Sequence, residues 1–289
     1  MNIMQMISNT MHLRIMILVL LIFGCESPKP EEKIERNLLP DSFPLDFSAP
    51  LDAGSGEPLT GWGGGYGDVT HTPIVFVHGN GHNAENWITM ATYFAEAGYT
   101  WNELWAMSYL GTVASEDIYN TNEGNWEEID EFVAAVLAYT GSEKVTIIAH
   151  SLGVTLSRTW LKYADDYDKI ETFVGIAGAN HGVAFCGPNY HSGLCGELGH
   201  PDSDFLLWLN EDDETPHSDT VQWITIYNGA ALDVFFPEDA LMNDNSVHDL
   251  RSSPILAGAE NIQFTNLGHI SLATAESVYD TVSYYINGQ

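Results

Sequence analysis

Basic side chains are nearly absent from this chain. Nine of its 289 residues are Lys or Arg, against 40 Asp or Glu, for a formal charge of −31. Charged residues make up 17% of the chain, below the roughly 25% of an average globular protein, and the shortfall lies in the bases. Past residue 45 the bases are Lys144, Arg158, Lys162, Lys169 and Arg251 and no others. So few cations leave no footprint for a nucleic-acid backbone and no polybasic clamp for an anionic membrane. Cysteine is scarce too, with three residues in all. The apolar run at 15–23 is too short to span a bilayer. What is abundant is core material: 45% of residues are apolar and 11% aromatic, which argues against disorder. The length suits one domain of roughly 240 residues plus a tail.

Residues 1–24 have the pattern of an export signal, with His12 and Arg14 closing a polar start ahead of the apolar run. The run ends in Ile22-Phe23-Gly24-Cys25, which resembles a bacterial lipobox. The resemblance implies acylation of Cys25 and anchoring in a membrane through that lipid, and the charged, Pro-containing composition that follows is that of a tether, over 25–45. The competing reading is an ordinary signal peptide with an incidental Cys. In a Gram-negative cell, Glu26 after the Cys would favour the outer membrane, by resemblance to the sorting rule. Export would leave Cys186 and Cys195, nine residues apart, in an oxidising compartment, where a local disulfide is the obvious reading over two free thiols. His181, His191 and His200 flank the pair without any zinc-ligand spacing, so no metal is expected.

From residue 72 onward strand-like and helix-like segments alternate. The run 73–78 (PIVFVH) has the continuous apolar character of a strand buried on both faces. A helix is expected over 83–97, a strand at 104–108, and an amphipathic helix through Trp126, Ile129, Phe132, Val133, Val136 and Leu137, stopped by Gly141. Strands follow at 144–150, 171–176, 221–227 and 261–266, with helices at 152–163 and 272–286. This rhythm implies βαβ units and a mainly parallel sheet covered on both faces. Two stretches interrupt it. The Gly-rich segment 54–70 is expected to be loop or hairpin. Residues 181–219 are too long for a plain connection and are expected to act as a lid or binding loop.

Three motifs carry chemistry. Ala149-His150-Ser151-Leu152-Gly153 lies between a strand and a helix, with small residues where a sharp turn needs them. Such a turn lifts the Ser151 hydroxyl out of the sheet and puts the Leu152 N–H at the positive end of the next helix, suited to an oxyanion. His150 beside it is expected to pack and hydrogen-bond under the turn. His78-Gly79-Asn80-Gly81 ends the first buried strand, where the Asn80 N–H is the candidate second oxyanion donor. Asn266-Leu267-Gly268-His269 follows the last strand and supplies His269 as the candidate base. The acid that orients it is expected six residues past residue 227, at Asp233, with Asp244 the next choice and Asp239 and Asp249 also in reach.

With these residues the chain resembles an α/β-hydrolase, and within that superfamily the small bacterial class 2 triacylglycerol lipases. The segments PIVFVHGNG, KVTIIAHSLGV, FVGIAGANHG, ITIYNGAALD and NLGHISL carry the likeness, over roughly residues 72–288. It also resembles the extracellular polyhydroxyalkanoate depolymerases, in its HGNG turn, its AHSLGV elbow and its Cys-containing loop. The resemblance implies Ser151 as nucleophile, Asp233 as acid, His269 as base, Asn80 and Leu152 as oxyanion donors, and no cofactor. Two features depart from the minimal lipases: the 181–219 insertion, and an acid two residues further past its strand.

The expected protein is therefore an exported serine ester hydrolase, a monomer, with its catalytic domain over 46–289. Apolar candidates for the acyl group are Trp87, the run 205–209, and Phe235-Phe236. No base falls in 181–219 or 228–250, which disfavours anionic substrates. Polyester cleavage is the alternative within the same chemistry, and a non-catalytic surface binding module the alternative outside it.

Overall fold

A computed structural model describes residues 48–49, 59–65, 67–109, 121–211, 213–229 and 233–288. The expected export signal, Cys25 and the tether lie outside these residues. In chain order the strands and α-helices are β1 (Ser48–Ala49), β2 (Leu59–Thr60), β3 (Trp62–Gly63), β4 (Ile74–Val77), α1 (Ile88–Glu96), β5 (Leu104–Met107), α2 (Asn122–Thr140), β6 (Val145–His150), α3 (Leu152–Ala164), β7 (Ile170–Ile176), α4 (Leu194–Leu198), α5 (Asp204–Leu209), β8 (Gln222–Tyr227), β9 (Ala240–Leu241), β10 (Val247–His248), β11 (Glu260–Gln263) and α6 (Glu276–Asn287).

The continuous apolar run forecast a strand with two covered faces, and β4 is buried at all four residues in the middle of a seven-stranded sheet. The strand order is β11-β8-β7-β6-β4-β5-β3. All neighbours are parallel except the edge pair β3–β5. This is the mainly parallel sheet that the alternation implied, in the arrangement that the resemblance to the α/β-hydrolases implied. Side chains sort by the two-residue strand period. Val75, Val77 and Ile147 face one core, shared with Ile129, Phe132 and Val133 of α2 and Leu156 and Trp160 of α3. Ile74, Phe76 and Ile148 face the other, with Met90, Ala91 and Phe94 of α1 and Val278 and Val282 of α6.

The order of the strands also locates a crevice. From β4 the chain moves outward to β5, then returns across β4 to β6 and proceeds the other way to β7, β8 and β11. The loops after β4 and β6 therefore diverge, and a parallel sheet opens its crevice at such a switch point.

Several boundaries differ from expectation, each for a local reason. The helix expected over 83–97 is two elements. Asn83 caps a 3-10 turn, Ala84–Trp87, by accepting from the Glu85 N–H at 2.8 Å, and α1 follows. The strand expected to 266 ends at Gln263, and the chain then turns, with the Phe264 N–H donating to the Tyr227 carbonyl. The last helix begins at Glu276, after a separate 3-10 turn at Ser271–Ala273. The Gly-rich stretch contributes the short edge strand β3, while β1 and β2 pair apart from the main sheet.

The insertion at 181–219 folds back onto the domain. Phe205, Leu206 and Leu209 join the same core as α1 and α6. Cys186 and Cys195 form a disulfide. The buried Arg158 guanidinium donates to Asn180 Oδ1 at 3.0 Å, Asn210 Nδ2 donates to the Asn180 carbonyl at 2.8 Å, and His181 Nε2 lies 2.9 Å from Glu214 Oε1. The first bond ties the start of the insertion to α3, and the other two tie the ends of the insertion to each other. Among the described residues, no helix is long and apolar enough to cross a membrane.

Candidate active site

Ser151 stands between β6 and α3 with φ 54° and ψ −123°. Ser is a good helix N-cap in extended backbone, but at this positive φ its side chain makes no capping bond. A non-Gly residue in such a conformation persists only where its surroundings hold it. Here the Ser151 N–H donates to the Ile176 carbonyl at 2.8 Å, and the α3 helix starts at once behind it. The flanking small residues are steric necessities. A Cβ on Gly153 would lie 2.5 Å from the His78 carbonyl oxygen and 2.6 Å from that of Val77. A Cβ on Gly79 would lie 2.9 Å from Ser151 Cβ.

The turn after β4 is built the same way. The His82 N–H donates to the Gly79 carbonyl at 3.1 Å, with Gly81 at φ 69°, a conformation that favours Gly. Under it sits His78, which the sequence reading passed over. Its Nδ1–H donates to the Gly79 carbonyl at 2.8 Å, its Nε2 accepts from the Tyr109 N–H at 3.2 Å, and its ring stacks on Tyr109 at 4.1 Å. Burial drives its pKa down to about 3, so it is a neutral clamp at working pH. Asn80 lines the cavity above this turn, and Leu152 lines it as the first residue of the 13-residue α3. The oxygen of the Asn80 side chain is buried without a hydrogen-bond partner.

On the facing side, His269 follows the turn after β11, and its Nδ1 lies 3.0 Å from Asp233 Oδ2. The two side chains are 9% and 1% exposed, so a charge formed on the ring would meet the carboxylate with little solvent between them. Asp233 is itself fixed by the Phe235 N–H, which donates to Oδ1 at 3.1 Å. His150 Nε2–H donates to the His269 carbonyl at 3.0 Å, and the two rings are 4.7 Å apart. Desolvation, with His269 next, holds the His150 ring well below the usual histidine range, which suits the supporting place expected of it. Burial also lowers His82, beside His150 and in the same cavity.

The other acids stand apart from the ring. Asp244 is half exposed, accepts from the Ser246 N–H and lies 3.4 Å from His200. Asp249 is exposed and pairs with Arg251, and Asp239 is exposed.

Ser151, His269, Asn80 and Leu152 thus open on one cavity of about 210 Å³. Its apolar lining is Ala179, Val183, Phe185, Leu194, Leu198, Phe235 and Ile270. Of the apolar candidates named from the sequence, Phe235 is there, its ring 4.6 Å from that of His269. Trp87 is instead core, its ring 5.2 Å from Phe76. The run 205–209 does not reach the cavity, because α5 turns its apolar side into the domain. Phe185 and Leu194 went unnoticed, although each adjoins a cysteine and the disulfide brings both cysteines together. Among the described residues, no group of three or more His, Cys, Asp or Glu is arranged to hold a metal.

Solved structures share this framework. The Bacillus licheniformis lipase BlEst2 in its mature form superposes with a TM-score of 0.55 at 19% identity, over 80% of this chain and 96% of that one. Its propeptide form gives 0.56 at 18% identity over 80% of this chain, which here spans about half (53%) of the longer molecule. Aspergillus fumigatus lipase B gives 0.51 at 17% identity, over 74% of this chain and 53% of that one. These likenesses establish the fold. The family model of the class 2 lipases matches residues 71–269, which takes in the β4 turn, the strained serine, the buried acid and the histidine at its far end. The chain therefore belongs to the class 2 lipases, and so to the carboxylic ester hydrolases of the α/β-hydrolase fold.

Proposed function

We propose that this chain hydrolyses neutral carboxylic esters through Ser151, His269 and Asp233. One observation carries the reading: a strained serine and a histidine held on a buried aspartate line one apolar cavity. The Asp233 carboxylate accepts a hydrogen bond from the His269 Nδ1–H, which leaves Nε2 as the basic nitrogen. Ser151 Oγ attacks the ester carbonyl carbon as its proton passes to Nε2. The N–H groups of Asn80 and Leu152 hold the oxyanion, the latter aided by the α3 dipole. The alcohol departs with the proton from Nε2. Water, deprotonated by Nε2 of His269, then attacks the acyl carbon, and Nε2 returns that proton to Ser151 Oγ as the acid leaves.

The substrate is an uncharged ester with an apolar acyl group, because the cavity lining is apolar and its surroundings are poor in bases. The test uses nitrophenyl esters, emulsified triglyceride and polyhydroxyalkanoate granules, with Ser151→Ala as control. Hydrolysis of esters that Ser151→Ala abolishes supports the proposal. Equal activity in that variant would sink it, and cleavage of granules but not triglyceride would move the substrate to polyester.

The same reading takes residues 1–24 as an export signal, Cys25 as a lipidated anchor and 46–289 as the catalytic domain. The disulfide between Cys186 and Cys195 is in keeping with an oxidising compartment. Labelling with a fatty acid that is lost in Cys25→Ala is the expected result, and retained label would overturn the anchor.

A further inference from the structure

Helix α4 is five residues long, too short to hold its own shape in water. Leu194 and Leu198, four residues apart and hence on one side of it, line the cavity above Ser151. Something outside α4 must therefore fix that wall. Three contacts do so along its length. Cys195 is joined to Cys186. The Leu198 carbonyl accepts from the Val183 N–H at 2.9 Å, and the Cys195 carbonyl from Asn243 Nδ2 at 3.1 Å.

A further contact is a buried carboxylate. Glu197 reaches from α4 to the first turn of α2. Its Oε2 accepts from the Asn122 N–H and from Asn122 Nδ2, both at 2.7 Å, and its Oε1 accepts from the Glu123 N–H at 3.1 Å. Asn122 Oδ1 in turn accepts from the Thr155 hydroxyl of α3 at 2.9 Å, one turn beyond the elbow. A side chain from the insertion thus closes the exposed N–H groups of a 19-residue helix and connects through it to the helix that starts at Ser151.

We infer that Glu197 is a positioning residue for acyl-chain selection: by pinning α4 to α2 it holds Leu194 and Leu198 as the far wall of the acyl site and restricts the enzyme to short acyl chains. The inference rests on the ester-hydrolase reading above. The cavity, at about 210 Å³, is smaller than the roughly 300–1,000 Å³ of sites for drug-sized ligands, which suits a short chain. Burial, opposed by the Asn122 and Glu123 bonds and reinforced by the Glu123 charge, raises the Glu197 pKa to about 7. The groups that face it are Glu123 on α2 and, on α3, Tyr163, whose hydroxyl donates to Glu123; α5, packed on α4, carries Asp204 in its first turn. A group whose pKa is higher when docked than when free docks more strongly in its protonated form. The latch therefore weakens as pH rises from about 4.5 to about 7 and changes little above that.

The test is the ratio of kcat/KM for nitrophenyl butyrate to that for nitrophenyl laurate, measured across pH 5.5 to 8.5 in the full chain. A ratio cancels the titration of a base common to both substrates. The wild type should favour butyrate, with a ratio that falls as pH rises towards about 7 and then levels off. Glu197→Ala should lower the ratio about tenfold, since a methylene or two of pocket shape is worth that much. Glu197→Gln, uncharged at every pH, should restore the preference and abolish its pH dependence. Active Glu197→Ala with an unchanged ratio overturns the inference. If that variant does not fold, a Glu197→Gln ratio as pH-dependent as the wild type overturns it instead. Hydrolysis of no ester by the wild type would overturn both readings, whereas hydrolysis with insensitive ratios removes this one alone.

Discussion

The two sides of the cavity are made by different means. On one side, residues 77–81 and 149–154 are set by backbone: strand register, a positive φ at Ser151 and glycines with no room for a Cβ. On the other side, the wall is set by side chains from distant segments. His269 meets Asp233 across 36 residues, and Glu197 meets Asn122 across 75. In the proposed reaction the first side holds the nucleophile and the oxyanion donors to the tolerance that the chemistry needs. The second supplies the base and decides what reaches them. A fold can keep the first and vary the second, because loops at a switch point change without disturbing the sheet.

The most severe way to break the comparison is to remove a reacting group from each side. Ser151→Ala and His269→Ala should each lower kcat/KM on the order of 10⁴-fold or more. Both should keep wild-type circular dichroism; Ser151→Ala should also keep wild-type melting, whereas His269→Ala should melt lower because it leaves the buried Asp233 without its partner. A loss confined to Ser151→Ala would remove His269 from the mechanism.

The next test separates the acids. Asp233→Asn should cost about 10²- to 10⁴-fold in kcat by losing the charge and the ring orientation. Asp244→Asn, on an exposed loop, should stay within about twofold. Steady-state kinetics on one short-chain ester decides between them, and the reverse order would reassign the acid.

A smaller effect probes the backbone side through stability. Gly153→Ala drives a Cβ into two carbonyl oxygens and should destabilise the fold by about 2–4 kcal/mol in urea denaturation. Leu198→Ala, on the side-chain wall, should cost about 2–3 kcal/mol at most and leave turnover of short esters largely intact. Equal loss of activity in the two would erase the distinction between the sides.

The smallest effect is in pH dependence, where two buried carboxylates at helix starts behave oppositely. Glu197, with its pKa raised to about 7 mainly by burial, binds its proton more tightly in the folded state. Its contribution to stability is fullest below the unfolded value near 4.5 and declines as pH rises to about 7. Glu103 is lowered: burial pushes it up, but the N–H groups of His71, Thr70 and Thr100 and the His71 ring outweigh that and favour the carboxylate. Its contribution is present above the unfolded value and is lost as pH falls through the folded pKa. Denaturation across pH should therefore show Glu197→Gln and Glu103→Gln differing from wild type with opposite slopes. Parallel slopes would mean that one of the two environments is misread.

Much of the backbone side was readable along the chain. The β4 run is apolar at consecutive positions because both its faces are covered, and the small–His–Ser–Leu–Gly pattern is short enough for the steric reason to be local. Asp233 was legible by its place after a late strand, though the choice over Asp244 needed the observed burial. The side-chain wall was not legible. The run 205–209 is apolar, but apolarity does not say whether a helix faces a ligand or a core, and α5 faces the core. Phe185 and Leu194 carry no pattern of their own and reach the cavity through a disulfide. Glu197 reads as one acid among forty.

By itself the sequence determined that a parallel α/β sheet forms, that its elbow carries a serine, and that an acidic, base-poor surface disfavours anionic ligands. Those follow from periodicity, steric size and charge, which act between neighbours or over the whole molecule. The tertiary structure alone decided which acid meets the histidine, which apolar residues line the cavity and which carboxylate is buried. Those depend on segments brought together from far apart in the chain, where burial rather than residue type sets whether a side chain reacts, packs or is merely solvated.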